Sequence, residues 1–443
     1  MKLYPDSKVY VICPANRHTG GVETLHQLCS QLISFGVDAY MHYFKGGSFN
    51  IKSDPVDPFY KKYHLPYVTE IEDTEHNIFV AYEGPTHFLY IPKKAQRVLF
   101  WLSADNFLSW QAKYFKVIIA NTRLDSVPLK KVFNFFLPDD ELVHFAQSEY
   151  VRQFLTINGV KNLKYVETHM NQTFLKQASN IDFTAKRNIV AYNPRKGFEV
   201  TKQLIDSAPD IAWRPIENMT TEQVQKFLAT VKVYIDFGAF PGRERLPREA
   251  ALSGCVVITG KRGVAGNDVD VNIPAEFKFD DGNLNPQQVI KKIREVFDNF
   301  EREFDKQKAF RDKELNARKN FVAQVAQAFG IEKFPSPYVA LVQGVTDKSF
   351  QLAEQLFQNK DFVPKFIIDD AMASTTTSDE LILRGQNRNY VSIGKNPIEI
   401  ITRDDAKFLY QEGRIKIFAA LEPTIKELDT WKNSFANLLI FNR

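Results

Sequence analysis

Short apolar runs alternate with segments whose apolar residues recur at helical spacing, and the alternation persists along most of the chain. Lys8 to Cys13 is such a run, and after it Val22, Leu25, Leu28, Leu32 and Ile33 repeat with a helical period. Further runs follow at Asn77–Tyr82, Arg97–Leu102, Val117–Asn121 and Leu142–Gln147. A second set occupies Asn188–Tyr192, Ala212–Trp213, Val231–Phe237 and Cys255–Ile258. Strands that alternate with helices favour parallel sheets covered on both faces, because each crossover helix must bury its apolar stripe against the sheet.

At 443 residues and 44% hydrophobic, the chain is long enough for more than one core. The pattern predicts an α/β protein in three parts: a Rossmann-like domain over 1–170, a second over 171–333, and an appended small α/β module over 338–443. Between 286 and 330 the charge density rises, with Lys291, Lys292, Arg294, Glu301, Arg302, Glu303 and Lys306, and one long or two stacked exposed helices are expected. Phe334-Pro-Ser-Pro337 breaks helix and reads as a linker. In the last part a strand is expected at Tyr338–Gln343, a helix at Ser349–Asn359, a strand at Phe362–Asp369 and a loop at Ser374–Ser378.

Several function classes are disfavoured. No apolar stretch approaches the roughly 18 to 20 residues that span a bilayer, and the first residues lack the pattern of a signal peptide. The cytoplasm is the expected location, with the inner face of the membrane as the alternative. Cys13, Cys29 and Cys255 stand singly in apolar segments, which suits core residues rather than a disulfide framework or a zinc site. A net charge of +4 is too mild to argue for nucleic acid, and it is compatible with polyanionic acceptors or an anionic membrane surface.

Four segments carry chemistry. In Phe240-Pro-Gly-Arg-Glu-Arg-Leu-Pro-Arg-Glu249, Arg243 and Arg245 are candidate phosphate ligands at the start of a short helix, where unpaired N–H groups attract anions. Glu249 suits hydroxyls of a ribose or sugar, since a carboxylate repels phosphate. Asn193-Pro-Arg-Lys-Gly197 follows a strand, so Arg195 and Lys196 are placed where open α/β sheets bind ligands. His18-Thr-Gly-Gly-Val-Glu-Thr24 offers Gly20 and Gly21 for close backbone approach, with Glu23 either facing a ligand or stabilising the helix start. In Phe100-Trp-Leu-Ser-Ala-Asp-Asn106, Asp105 is a candidate general base with Ser103 and Asn106 beside it, or a helix cap. Asp268-Val-Asp270 reads as a solvated turn rather than a metal site.

The Gly20-Gly-Val-Glu23 loop, the Arg195-Lys-Gly197 turn, and Pro247-Arg-Glu249 followed by Gly254-Cys-Val-Val-Ile258 together resemble the GT-B glycosyltransferases, in particular their GT4-like group. His144-Phe-Ala-Gln-Ser-Glu-Tyr-Val151 with Gly159-Val160 resembles the end of that fold's first domain, and the resemblance covers roughly residues 8–330. It implies two facing Rossmann-like domains and a nucleotide-sugar donor held mainly by the second, with Arg195 and Lys196 on the diphosphate and Glu249 on the ribose. The expected activity is glycosyl transfer to a glycan or lipid-linked acceptor in cell-surface polysaccharide synthesis, with no cofactor and no metal. One departure stands out: Pro241 occupies the position, eight before Glu249, where that group carries a second glutamate. Glu244 in the same loop is the candidate replacement, and the stereochemical outcome stays open. The alternatives are a non-catalytic nucleotide-sugar-binding protein and a nucleotide-sugar hydrolase or epimerase.

Overall fold

A computed structural model describes residues 1–121, 132–135, 137, 139–178, 180–331, 338–359, 362–373, 390–393, 396–432, 434–435 and 438–441. The expected linker at Phe334–Pro337 and loop at Ser374–Ser378 lie outside the described residues. The chain separates into two compact units, one formed by Val80–Ala328 with Met1, the other by Lys2–Phe79 and Phe329–Arg443.

In the second unit, β1 (Lys8–Pro14) leads through α1 (Gly20–Ser34) to β2 (Asp38–Phe44), and the two strands pair in parallel from Lys8↔Asp38 to Pro14↔Phe44. Val9, Val11, Ile12 and Cys13 are fully buried, as a strand covered on both faces requires. β3 (Ile78–Tyr82) contains the residue at which the units divide.

In the first unit, β4 (Gln96–Trp101) is followed by α2 (Ala104–Asn121), then β5 (Val143–Ala146), α3 (Glu149–Ile157) and β6 (Leu163–Tyr165). The apolar run at Val117–Asn121, expected as a strand, is the last part of α2. After α4 (Gln172–Gln177), a four-stranded parallel sheet of order β10-β9-β7-β8 is built from β7 (Arg187–Tyr192), β8 (Ala212–Pro215), β9 (Val231–Asp236) and β10 (Val256–Thr259). Its crossovers are α5 (Phe198–Ser207), α6 (Thr221–Ala229) and α7 (Arg245–Leu252). Thr220 and Gln223 form a capping box at α6.

The charged stretch after residue 286 forms three helices instead of one or two: α8 (Pro286–Asp298), α9 (Phe300–Asp305) and α10 (Lys308–Phe329). They are not merely exposed. Val289, Ile293 and Val296 join the core of the four-stranded sheet, and Glu314 and Phe321 are buried. Gln307, between α9 and α10, accepts from Val257 N–H at 2.9 Å and donates to Val257 C=O at 2.7 Å, so a side-chain amide closes the free edge of β10.

The second unit also holds a six-stranded sheet of order β13-β14-β12-β11-β15-β16, in which only β13 is antiparallel. Its elements in chain order are β11 (Tyr338–Leu341), α11 (Asp347–Asn359), β12 (Val363–Ile368), α12 (Asp370–Ala373), β13 (Tyr390–Ile393), β14 (Asn396–Ile401), α13 (Arg403–Gln411), β15 (Ile417–Leu421), α14 (Ile425–Lys432) and β16 (Leu438–Phe441).

Candidate functional site

The carboxyl ends of β7, β9 and β10 bring together most of the cationic residues that the sequence singles out. Beyond β7, the Asn193 side chain accepts from Arg195 N–H at 3.0 Å and folds the turn, leaving Arg195 exposed. Gly197 then caps α5 in the left-handed conformation, φ +62°, and a Cβ on it would collide with the backbone carbonyl of Phe237 beyond β9. Only glycine permits this approach, and it lays Lys196 across the end of β9, where its ammonium pairs with Glu244 at 2.7 Å.

Beyond β10 the same device recurs. Lys261 and Arg262 are exposed, and Gly263, φ +60°, lies so near Phe240 that a Cβ would collide with that carbonyl. Arg262 donates to the Phe237 carbonyl and pairs with Asp281 at 2.5 Å. Two loops, each a basic pair followed by a left-handed glycine, thus converge on the backbone that follows β9. Asp236 closes that strand, buried, and accepts from Gly238 N–H and Tyr234 O–H at 2.9 Å each. Burial raises the Asp236 pKa to about 6, against the lowering effect of those hydrogen bonds.

Arg245 opens α7 and pairs with Glu249 one turn on, at 3.1 Å, with Glu249 the more buried partner. Glu244 is the N-cap of the same helix, and its side chain makes no capping bond. Arg195 and Lys196 in the turn after β7, and Glu244, Arg245 and Glu249 in the first turns of α7, are therefore at one end of the sheet.

Arg243 is elsewhere. Expected as a phosphate ligand, its side chain is only 1% exposed and is spent on Glu167 at 2.9 Å, Glu314 at 2.5 Å and the Thr168 carbonyl at 3.1 Å. Arg248 joins the same cluster, bonding Glu314 at 2.6 Å and the Thr168 carbonyl at 3.0 Å. Burial works against the charge of Arg243, but Glu314 and Glu167 outweigh it and hold the guanidinium firmly protonated. Burial likewise opposes ionisation of Glu314, and the two arginines keep its pKa below the ordinary value. Arg243 is thus a structural anchor for the loop, turned away from solvent.

Asp105 lies in the first turn of α2, half-buried, where Ser103 Oγ accepts from Asn106 N–H at 2.9 Å and so caps the helix. Asp105 accepts from Tyr150 O–H at 2.9 Å, and a Cβ on Gly263 would stand 3.1 Å from its other carboxylate oxygen. The loop after β10 therefore adjoins Asp105. Tyr150 is held by Asp270, whose carboxylate accepts from Glu149 N–H at 2.9 Å and Tyr150 N–H at 2.8 Å and caps α3. Asp268-Val-Asp270 is a turn whose first two residues are solvated as expected, Asp268 pairing with Lys278 at 2.7 Å, whereas Asp270 is buried. Behind Asp105, the buried Glu83 accepts from Leu102 N–H at 2.9 Å, and burial raises its pKa to about 8.

Gly20, Gly21 and Glu23 belong to the other unit. α1 begins at Gly20, Thr19 is its N-cap and accepts from Val22 N–H at 3.4 Å, and Glu23 is buried in the first turn. His18 stacks on Phe59 beside this turn, 4.2 Å between ring centres. Among the described residues, Glu276, Glu295 and Glu303 are close enough to share an ion, but Lys292 and Lys306 already bridge them.

Sequence reasoning missed Lys261, Arg262, Asp236 and Tyr150. A signal for the first two was present: Lys261-Arg-Gly263 follows its strand just as Arg195-Lys-Gly197 follows β7. Glu167 and Glu314 had no local signal.

No family model matches the chain, and no curated protein matches it. Among solved structures, it is similar to TarM of S. aureus, in complex with fondaparinux, α-GlcNAc-glycerol and UDP, at 14% identity and TM-score 0.41 over 58% of this chain. The match spans 55% of that structure's own length, so little more than half. A glycosyltransferase from Rickettsia africae is similar at 14% identity and TM-score 0.46, over 73% of this chain and 99% of that one. HepE of Anabaena, in complex with UDP-glucose, is similar at 13% identity and TM-score 0.43, over 72% and 97%.

Proposed function

We propose that this protein is a glycosyltransferase that moves a sugar from a nucleotide-sugar donor to a glycan or lipid-linked acceptor, in the synthesis of a cell-surface polysaccharide. The observation that carries the proposal is the convergence of Arg195-Lys-Gly197 and Lys261-Arg-Gly263 on the backbone beyond β9. Cations at the carboxyl ends of β7 and β10, the two strands that flank β9 in the parallel sheet, suit a diphosphate, which guanidinium and ammonium groups bind through charge-assisted hydrogen bonds. In this reading Arg195, Lys196, Lys261 and Arg262 hold the donor diphosphate. Arg245 and Glu249 face the ribose, and Glu244 faces the transferred sugar from its pair with Lys196.

Asp105 is the base that an inverting reaction needs to take the proton from the acceptor hydroxyl. Its hydrogen bond from Tyr150 fixes the carboxylate, and its position against Gly263 puts it next to the basic loop after β10. A retaining reaction relies instead on the donor phosphate and backbone groups. Gly20, Gly21 and Glu23 are assigned to a second ligand-facing turn at the start of α1. The division into donor-side residues 171–333, acceptor-side residues 1–170 and a separate module 338–443 belongs to the same proposal, as does a cytoplasmic location with peripheral membrane association. No described helix is long and apolar enough to cross a membrane.

Pro241 supports a second reading, a protein that binds nucleotide sugars without turning them over, because it removes the carboxylate expected at that position. The two are separated by incubating the protein with a panel of nucleotide sugars, with and without acceptor extracts. Nucleotide released only in the presence of acceptor supports the transferase; release without acceptor supports a hydrolase; binding without release supports the second reading.

A further inference from the structure

A cavity of about 630 Å³ opens between β3 and β4, where the chain turns through Thr86–Tyr90 and then Ile91-Pro-Lys-Lys94 before entering β4 at Gln96. That volume is in the range of small-molecule sites. Arg97, at the start of β4, lines it, held by Asp139 at 2.9 and 3.1 Å, with its guanidinium 5.8 Å from the centre of the Tyr90 ring. Tyr90, Ile91 and Pro92 form an aromatic and apolar side, with Ile91 46% exposed. Lys93, whose ammonium also donates to the Tyr90 carbonyl at 3.2 Å, and Lys94 supply exposed cations on the same lining; Glu141 adds one exposed carboxylate, 3.9 Å from Arg97, and His87 adds a ring whose pKa burial lowers.

Three cations, Lys93, Lys94 and Arg97, face one lining carboxylate, Glu141, beside an apolar and aromatic side with the hydrogen-bonding groups of Tyr90 and His87, and that excess of positive charge next to an apolar face is the chemistry that recognises a sugar bearing a negative charge. The ring's C–H face packs on the aromatic and apolar side, its hydroxyls meet Tyr90 and His87, and its phosphate or carboxylate meets the lysines. A flat lipid surface makes less use of a concave site of this size. The cavity lies at the start of β4, whereas Asp105 lies beyond its end; six residues of strand separate them by roughly 20 Å. A ligand held here does not compete for the donor site.

We propose that this cavity is a second saccharide site, which takes a sugar unit carrying a phosphate or carboxylate group and holds an anionic glycan chain away from the transfer site. The binding claim is independent of the transferase reading; only the consequence for acceptor handling rests on it. The test is calorimetric titration of the full chain with glucose 6-phosphate, a uronic-acid tetrasaccharide, a neutral tetrasaccharide and inorganic phosphate, each at low and high salt. At least one anionic saccharide is expected to bind about tenfold tighter than both the neutral saccharide and inorganic phosphate. The Lys93→Ala/Lys94→Ala variant, altered only at exposed positions, is expected to lose that margin while keeping its melting temperature and its response to nucleotides, and Tyr90→Phe is expected to weaken binding less. Equal binding by the double variant overturns the proposal. So does an affinity no better than that of inorganic phosphate, or no saccharide binding at millimolar concentration. Binding to phosphatidylglycerol vesicles that the double variant loses, without saccharide binding, makes the face a membrane contact and overturns it as well.

Discussion

Gly197 lies against Phe237 so closely that a Cβ on the glycine would collide with the phenylalanine's backbone carbonyl, and its φ of +62° is one that a side chain disfavours. Both penalties fall on one residue at the point where the loops beyond β7 and β9 meet. Gly197→Ala is therefore expected to lower stability by more than the ~1 kcal/mol that positive φ alone costs an alanine. Gly159→Ala is the control, since Gly159 has φ +79° but open space around its Cβ position. Urea unfolding of the two variants checks this; equal losses would mean that the contact with Phe237 does not constrain the loops.

Arg243 is expected to matter for folding rather than for phosphate. Removing one member of a buried, hydrogen-bonded ion cluster strands the charge of its partners and costs about 3–5 kcal/mol. Arg243→Ala and Glu314→Ala should both fall in this range by denaturant unfolding. The double variant should lose less than the sum, because each single change already breaks the pair. An Arg243→Ala protein of wild-type stability that no longer responds to nucleotides would return this residue to the donor site.

Glu83 sets a pH dependence of stability. Its pKa rises from 4.5 in an exposed chain to about 8 in the folded protein, mainly through burial. Between those values the folded state keeps a proton that the unfolded state has released, so stability falls as pH rises through the window. The slope is at most roughly 1.4 kcal/mol per pH unit. Glu83→Gln keeps an acceptor for Leu102 N–H and removes the titration. Melting temperatures measured from pH 5 to 9 should show a flatter profile for this variant and a gain at pH 8; an unchanged slope contradicts the assignment.

Asp105 and Tyr150 should separate in kinetics. If acceptor deprotonation falls to Asp105, Asp105→Asn lowers kcat by about 10²–10⁴-fold. Tyr150→Phe keeps the carboxylate but frees it to rotate, so a smaller loss in kcat with little change in donor KM is expected. Wild-type turnover by Asp105→Asn would leave the carboxylate as a helix-start residue and favour the retaining alternative.

The strands beginning at Lys8, Gln96, Arg187, Val231 and Val256 were legible because a strand buried on both faces is a continuous apolar run bounded by polar turns. Val117–Asn121 was not, since an apolar run at the end of a helix has the same composition as a short strand and periodicity cannot part them. β2 was missed because Asp38–Phe44 mixes histidine and tyrosine among its apolar residues. At the candidate site, Arg195, Lys196 and Glu249 could be placed from local context alone, each lying just beyond a strand or inside the helix that follows one. The fate of Arg243 could not: its partners Glu167 and Glu314 lie 76 and 71 residues away, and nothing near it in sequence distinguishes a guanidinium turned inward from one offered to a ligand. Asp270 misled for a similar reason, because the backbone it caps begins 121 residues earlier.

The central claim is that two basic loops beyond β7 and β10 hold the diphosphate of a nucleotide sugar. Its most direct test is the thermal shift produced by a panel of uridine, guanosine, adenosine and cytidine diphosphate sugars on the wild type and on Arg195→Ala/Lys261→Ala, which changes one exposed cation in each loop. A ligand that binds only the folded state raises the melting temperature, by an amount that grows with RT ln(1 + [L]/Kd). At least one donor should stabilise the wild type, and the double variant should melt normally without ligand yet lose most of the shift. A full shift in the double variant, or no shift with any donor in the wild type, contradicts the account.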